Sequence, residues 1–170
     1  MTEEDLEIFK ERGLYVVTNP ASNMKLASGI PPLTKMLQMG IPVAIGTDGP
    51  ASNNCLDMFR EMFLVTGLQK VVHNDPEAVP AADVLKMATV NGAYAMGLAE
   101  GKYADLIMID LMQPNMQPIQ NIEKNVVYSA SKLNVKMTMI NGRAVYQNGK
   151  FKIGESVEDI YENANRIAER

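Results

Sequence analysis

Gly46-Thr47-Asp48-Gly49 is the stretch best suited to carry chemistry. It follows Ile41-Pro42-Val43-Ala44-Ile45, an apolar run that reads as a strand buried on both faces. In parallel α/β folds the C-terminal ends of the strands form the active face. A carboxylate there, flanked by glycine, can be aimed into a cleft as a metal ligand or general base. The same Asp48 can instead cap a helix or shape a turn, and its own residue type leaves both readings open. Asn19-Pro20-Ala21-Ser22-Asn23 follows a second apolar run, Leu14-Tyr15-Val16-Val17. Ser22 and Asn23 offer a hydroxyl and an amide that can orient a polar ligand, or hold a turn. Ser52 and Asn53 pose the same choice between substrate contact and a cap for the helical stretch that starts near Leu56.

Other reactive types are sparse. His73 is the single histidine, so chemistry needing several histidines from this chain alone is excluded. It lies between a helical stretch and the breaker Asn74-Asp75-Pro76, which reads as a surface position. Cys55, the only cysteine, rules out an intrachain disulfide and reads as a buried core thiol. Ser22 lacks the Gly-x-Ser-x-Gly setting of a nucleophile. The thirteen methionines read as core filling on apolar helix faces. No phosphate loop or dinucleotide fingerprint is present.

The elements that position these loops follow from periodicity and punctuation. Thr2 to Arg12 reads as a helix with Thr2 and Asp5 as an imperfect capping box and Gly13 as its stop. Further helices are expected over Pro32–Met39, Leu56–Val72 and Pro80–Met96, the last with Ala81, Val84, Leu85, Ala88 and Ala95 toward the core. Alternation of apolar strands with these helices points to parallel βα units. Beyond Gly101 the character turns to β: Ala104–Asp110, Val126–Tyr128 and Val135–Ile140 read as strands. Gln113–Gln120, with two prolines, reads as an extended loop. Asn141-Gly142 marks a hairpin into Arg143–Tyr146, and Asn148-Gly149 a second turn. Val157, Ile160, Tyr161, Ala164 and Ile167 recur at helical spacing in a terminal helix.

Residues 1–100 thus form an α/β part and residues 101–170 a β-rich part. Two βα units cannot close a parallel sheet, and bare strand edges invite aggregation, so the chain is expected to be part of something larger, or to cover its edges by oligomerising. A net charge of −4 without a Lys/Arg cluster argues against a nucleic-acid partner. No apolar run reaches membrane-spanning length. The start is acidic and amphipathic, unlike a secretory signal, and with the lone cysteine it points to the cytoplasm.

Together, Asn19-Pro20-Ala21-Ser22-Asn23-Met24-Lys25-Leu26-Ala27-Ser28-Gly29, Gly46-Thr47-Asp48-Gly49, Ala51-Ser52-Asn53-Asn54 and Leu56-Asp57 resemble one branch of the metal-dependent amidohydrolase superfamily. That branch is the methylthioadenosine/S-adenosylhomocysteine deaminases, with chlorohydrolase-type relatives. Thr89–Leu98 and Gly101–Asp110 resemble its helix before the small domain and its return strand, so the likeness covers nearly the whole chain.

The resemblance implies the last two βα units of a (β/α)8 barrel, then a β-rich segment of a small β-sandwich domain and a terminal helix. It makes Leu14–Val17 strand seven and Ile41–Ile45 strand eight. It makes Asp48 both a metal ligand and the catalytic, proton-shuttling carboxylate, with Ser22, Asn23, Ser52 and Asn53 lining the substrate face. The implied reaction is hydrolytic deamination of a purine nucleoside-type or related N-heterocyclic small molecule with zinc or another divalent metal. The chain also departs from the family pattern. The first-strand His-x-His pair, the histidines of strands five and six and the catalytic glutamate have no counterpart. Thr18 stands where relatives carry histidine, and the join from Leu98 to Gly101 is short. A catalytic zinc takes about three protein ligands, and Asp48 alone cannot hold it. The expectation is a C-terminal part, beginning just after strand six, inactive and metal-free until a missing N-terminal barrel segment or an oligomer partner completes it. The alternative is a non-catalytic remnant or partner-binding module with the same fold.

Overall fold

Local signals start and stop most elements. In the computed structural model, which describes residues 1–98 and 103–169, α1 (Glu3–Glu11) opens on a reciprocal capping box between Thr2 and Asp5. Gly13, with φ +60°, turns the chain out of the helix. The chain divides into two compact units, Met1–Glu100 with Met112–Lys132, and Gly101–Leu111 with Leu133–Arg170. The short join at 98–101 falls at 99–102, outside the described residues.

In the first unit, β1 (Val16–Thr18) pairs in parallel with β2 (Val43–Ile45), Val16 opposite Val43 and Thr18 opposite Ile45. β2 is buried throughout, as its composition predicts. β1 is not: Leu14 and Tyr15 precede it exposed, and Val17 is half exposed. Among the described residues β1 has a strand neighbour on one side only, so the expected burial on both faces is not met. Around the pair lie α3 (Leu33–Gln38), α4 (Met58–His73) and α5 (Ala81–Ala88), which bury Leu33, Met36, Val65, Val84 and Met87.

Three expectations fail here for physical reasons. Asn19-Pro20-Ala21-Ser22-Asn23 is not a simple turn: Pro20 occupies the first position of α2 (Pro20–Lys25), where its missing N–H costs nothing. The helix expected over Pro80–Met96 breaks at Thr89, whose backbone leaves helical space and whose hydroxyl donates to the Leu85 carbonyl at 2.6 Å. α6 (Val90–Ala95) follows it, and Ala95 is exposed rather than in the core. Val126-Val127-Tyr128 is not a strand but the end of α7 (Ile122–Tyr128), capped by Asn121 Oδ1 from the Lys124 N–H at 2.8 Å. Burial of Val126 and Val127 beside α4 and α5 overrides their β preference.

The second unit is a four-stranded antiparallel sheet in the order β3 (Leu106–Ile109), β4 (Val135–Ile140), β5 (Arg143–Gln147), β6 (Lys150–Phe151). Asn141-Gly142 and Asn148-Gly149 make its two tight turns, all four residues at positive φ. α8 (Val157–Ala168) starts on Ser156 Oγ, which accepts the Asp159 N–H at 3.0 Å. Methionine burial is mixed: Met36, Met62, Met87 and Met116 are buried, whereas Met24, Met96, Met108 and Met112 are exposed. Among the described residues no helix is long and apolar enough to cross a membrane.

Candidate active site

Parallel pairing sends the chain out of β1 and β2 on the same side. The Gly46 N–H extends the ladder, donating to the Thr18 carbonyl at 2.9 Å. The loops then run so close that a Cβ on Gly46 would stand 2.5 Å from Asn19 Oδ1. Only glycine fits there without displacing the Asn19 side chain.

Asp48 follows at φ +60°, a left-handed backbone in which Asp and Asn are the more tolerated side-chain-bearing residues. Its carboxylate is exposed but held on both oxygens. Ser22 Oγ donates to Oδ2 at 2.6 Å, and the Gly49 N–H donates to Oδ1 at 2.7 Å. The Ser22 hydroxyl, then the Ser52 hydroxyl, then the Gly49 N–H hold the Asp48 carboxyl below its usual range, against a smaller opposing effect of burial.

The other expected residues divide. Ser22, itself buried, meets Asp48 directly, and the Ser52 hydroxyl, with one hydrogen to give, is shared between the Asp48 carboxylate and the Gly49 carbonyl, 3.1 Å from the latter. Asn53 is buried with its amide engaged by the protein: Nδ2 donates to the Thr47 carbonyl and to Glu61 Oε1, both at 2.8 Å, and Oδ1 accepts the Cys55 N–H at 3.2 Å. Asn23 lines a separate cavity of about 10 Å³ with Thr18, Leu33, Val65 and Gln69, room for about one water. Thr18 Oγ1 is buried there without a hydrogen-bond partner. Cys55 is half-buried rather than in the core, its Sγ 3.9 Å from Lys132 Nζ on the first unit's surface. His73 is exposed at the far end of α4, about 24 Å along the helix from its start.

Two residues that sequence reasoning missed tie the loops together. Glu61, fully buried on α4, accepts the Ala21 N–H on Oε2 at 2.9 Å and Asn53 Nδ2 on Oε1 at 2.8 Å. Lys25 Nζ donates to the Ala51 carbonyl at 3.1 Å and to Asn54 Oδ1 at 2.6 Å. The available signal for Glu61 is an acid in phase with the stripe Met58, Met62, Val65, because a charge at a buried position requires partners.

The donor set fits one position of a metal's shell. A carboxylate offers about four acceptor sites, more than the Ser22, Ser52 and Gly49 donors occupy. Among the described residues no group of three His, Cys, Asp or Glu is placed to hold an ion.

This exposed, hydrogen-bonded aspartate at the end of a parallel strand pair lies within the stretch that one family model matches. The Amidohydrolase family model covers residues 1–145, and the chain belongs to this family. It is 43% identical over 173 residues to the 5-methylthioadenosine/S-adenosylhomocysteine deaminase of Dictyoglomus thermophilum, covering 98% of this chain and 41% of that protein. It is 42% identical over 174 residues to the 5'-deoxyadenosine deaminase of Methanosarcina acetivorans, covering 99% of this chain and 40% of that one. An adenosine deaminase from Xanthomonas campestris, solved with bound zinc, superposes with a TM-score of 0.94 at 36% identity, over 100% of this chain and 40% of that one. The chain therefore has an amidohydrolase-like α/β fold and spans about 40% of the length of these relatives.

Proposed function

We propose that the chain is the C-terminal part of a metal-dependent hydrolase that removes an amino group from a purine nucleoside-type or related N-heterocyclic small molecule. The observation that carries this reading is the Asp48 carboxylate, exposed at the C-terminal end of β2 and oriented by Ser22 and Gly49. The adenosine-type deaminases among the relatives supply the substrate class. On this reading β1 and β2 are the last two strands of a (β/α)8 barrel within residues 1–100. Residues 101–170 are a small-domain segment with a terminal helix, apart from Met112–Lys132, which pack in the first unit.

Asp48 would hold the metal, with the remaining ligands supplied by the segment that completes the barrel or by an oligomer partner. A divalent ion bound there would make water a nucleophile near neutral pH. Ser22, Ser52 and the Gly49 N–H keep the Asp48 carboxyl in the ionised form that a metal ligand and a proton acceptor both require and fix its direction, and from there it would carry a proton from water to the departing amine. Asn53 braces this loop from below, and Asn23 stands on the cavity side of α2.

The test joins the chain to the rest of the barrel and measures zinc content and ammonia release from adenosine, 5'-deoxyadenosine, methylthioadenosine and a triazine panel. Metal uptake with ammonia release is expected, and Asp48→Asn should fold normally and abolish turnover. Silence across the panel overturns the deaminase reading. A second reading, a non-catalytic module that keeps the fold, draws on Thr18, whose hydroxyl is buried and unpartnered at the position where the family resemblance leads one to expect histidine. It predicts that the completed protein folds cooperatively and binds no metal.

A further inference from the structure

We infer that Glu61 is a positioning residue that sets the Ser22–Asp48 contact from beneath the active face. This rests on the function proposed above for Asp48. The two partners of the 2.6 Å bond are each flanked by a Glu61 connection. On one side Glu61 Oε2 takes the N–H of Ala21, the neighbour of Ser22. On the other, Oε1 takes Asn53 Nδ2, whose second hydrogen goes to the carbonyl of Thr47, the neighbour of Asp48. Glu61 therefore spans two loops far apart in sequence, from a platform on the sixteen-residue α4.

It also does a cap's work. Asn19, the N-cap of α2, makes no side-chain cap bond, and Pro20 has no N–H to offer. The first free donor of α2 is the Ala21 N–H, and Glu61 takes it. Among the described residues Glu61 makes no ion pair, so its carboxyl is buried on hydrogen bonds alone. An apolar side chain here would leave the Ala21 N–H and one Asn53 hydrogen buried without acceptors, so the carboxyl both satisfies these donors and sets the register between the two segments that carry them. Fixing the orientation of a metal ligand through such outer contacts is worth about 10–100-fold in metal affinity or activity.

The test is E61Q, which keeps the side-chain shape but turns one acceptor into an NH2 group facing an N–H donor. Amide resonances are followed in the isotope-labelled 170-residue chain, and kcat and KM in the completed protein. The Gly49 amide, bonded to Asp48 Oδ1, is expected to shift, while Val84 in the core and Tyr146 in the second unit stay in place. In the completed protein kcat should fall about 10–100-fold with KM little changed. A purely stabilising role would lower Tm and leave the native Gly49 resonance where it was, and that result overturns the inference. Should E61Q fail to fold, E61D keeps the acid but draws it back by one methylene from both the Ala21 N–H and Asn53 Nδ2, leaves the Asn53 bonds to Thr47 and Cys55 in place, and is read at Gly49 in the same way. If the unsubstituted completed protein turns over nothing, the proposed reaction falls, while the Gly49 measurement still decides the role of Glu61.

Discussion

The two units solve the burial problem differently. The first closes a core: β2 is buried end to end, and Met36, Val84 and Met87 are fully enclosed. In the second no described strand residue is buried, and Leu106, Ile107 and Met108 remain about half exposed. The first unit is thus specified by side-chain packing, while the second is specified by turn chemistry and ladder bonding. The chemistry-bearing loops sit on the packed unit, where a rigid support can hold a carboxylate in place.

That contrast can be broken most sharply at Met36. Met36→Ala should cost about 2–5 kcal/mol, seen as a lower denaturant midpoint, because the side chain is fully enclosed and its loss leaves a cavity that its neighbours fill only in part. A smaller change would mean that the first core is looser than its burial implies. Gly46→Ala should cost about 1 kcal/mol, the low end for overpacking, since the Asn19 amide can swing aside. Its clearer signature should be a displaced Asp48 loop, read as shifts at Gly49. Met108→Ala on the open sheet should stay within about 0.5 kcal/mol, and a larger loss would show a surface that is covered in solution.

The smallest effect sharpens the site itself. In the folded chain Asp48 titrates below its ordinary value, so its contribution to stability is present above the unfolded pKa and is lost as pH falls through the lowered one. Ser22→Ala removes the largest cause and should return the carboxyl toward 3.8, measured by carboxyl-carbon NMR titration. An unchanged titration would show that the Ser22 bond does not set it. The exposed position makes any change in overall stability negligible.

Legibility followed the range of the forces. The capping box at Thr2, the Asn-Gly turns and the bounds of α8 rest on contacts within a few residues, and the sequence carries them directly. The family motif placed Asp48 and Ser22 in neighbouring loops, and the structure joins them. What could not be read depends on partners distant in sequence. Val126 and Val127 turn helical because α4 and α5 bury them. The Ala21 and Glu61 partners lie 40 residues apart, and no spacing rule connects them.

Asp48 also carries an evolutionary consequence. Its backbone stands at φ +60°, where a longer or branched side chain is strained and Gly, Asn and Asp are at home. Its proposed role demands a carboxylate, which Gly and Asn lack. The two filters overlap on a single amino acid. A lineage that loses the acid here has an easy conformational path to Asn and none to Glu, so drift at this codon would silence the site long before it unfolded the chain.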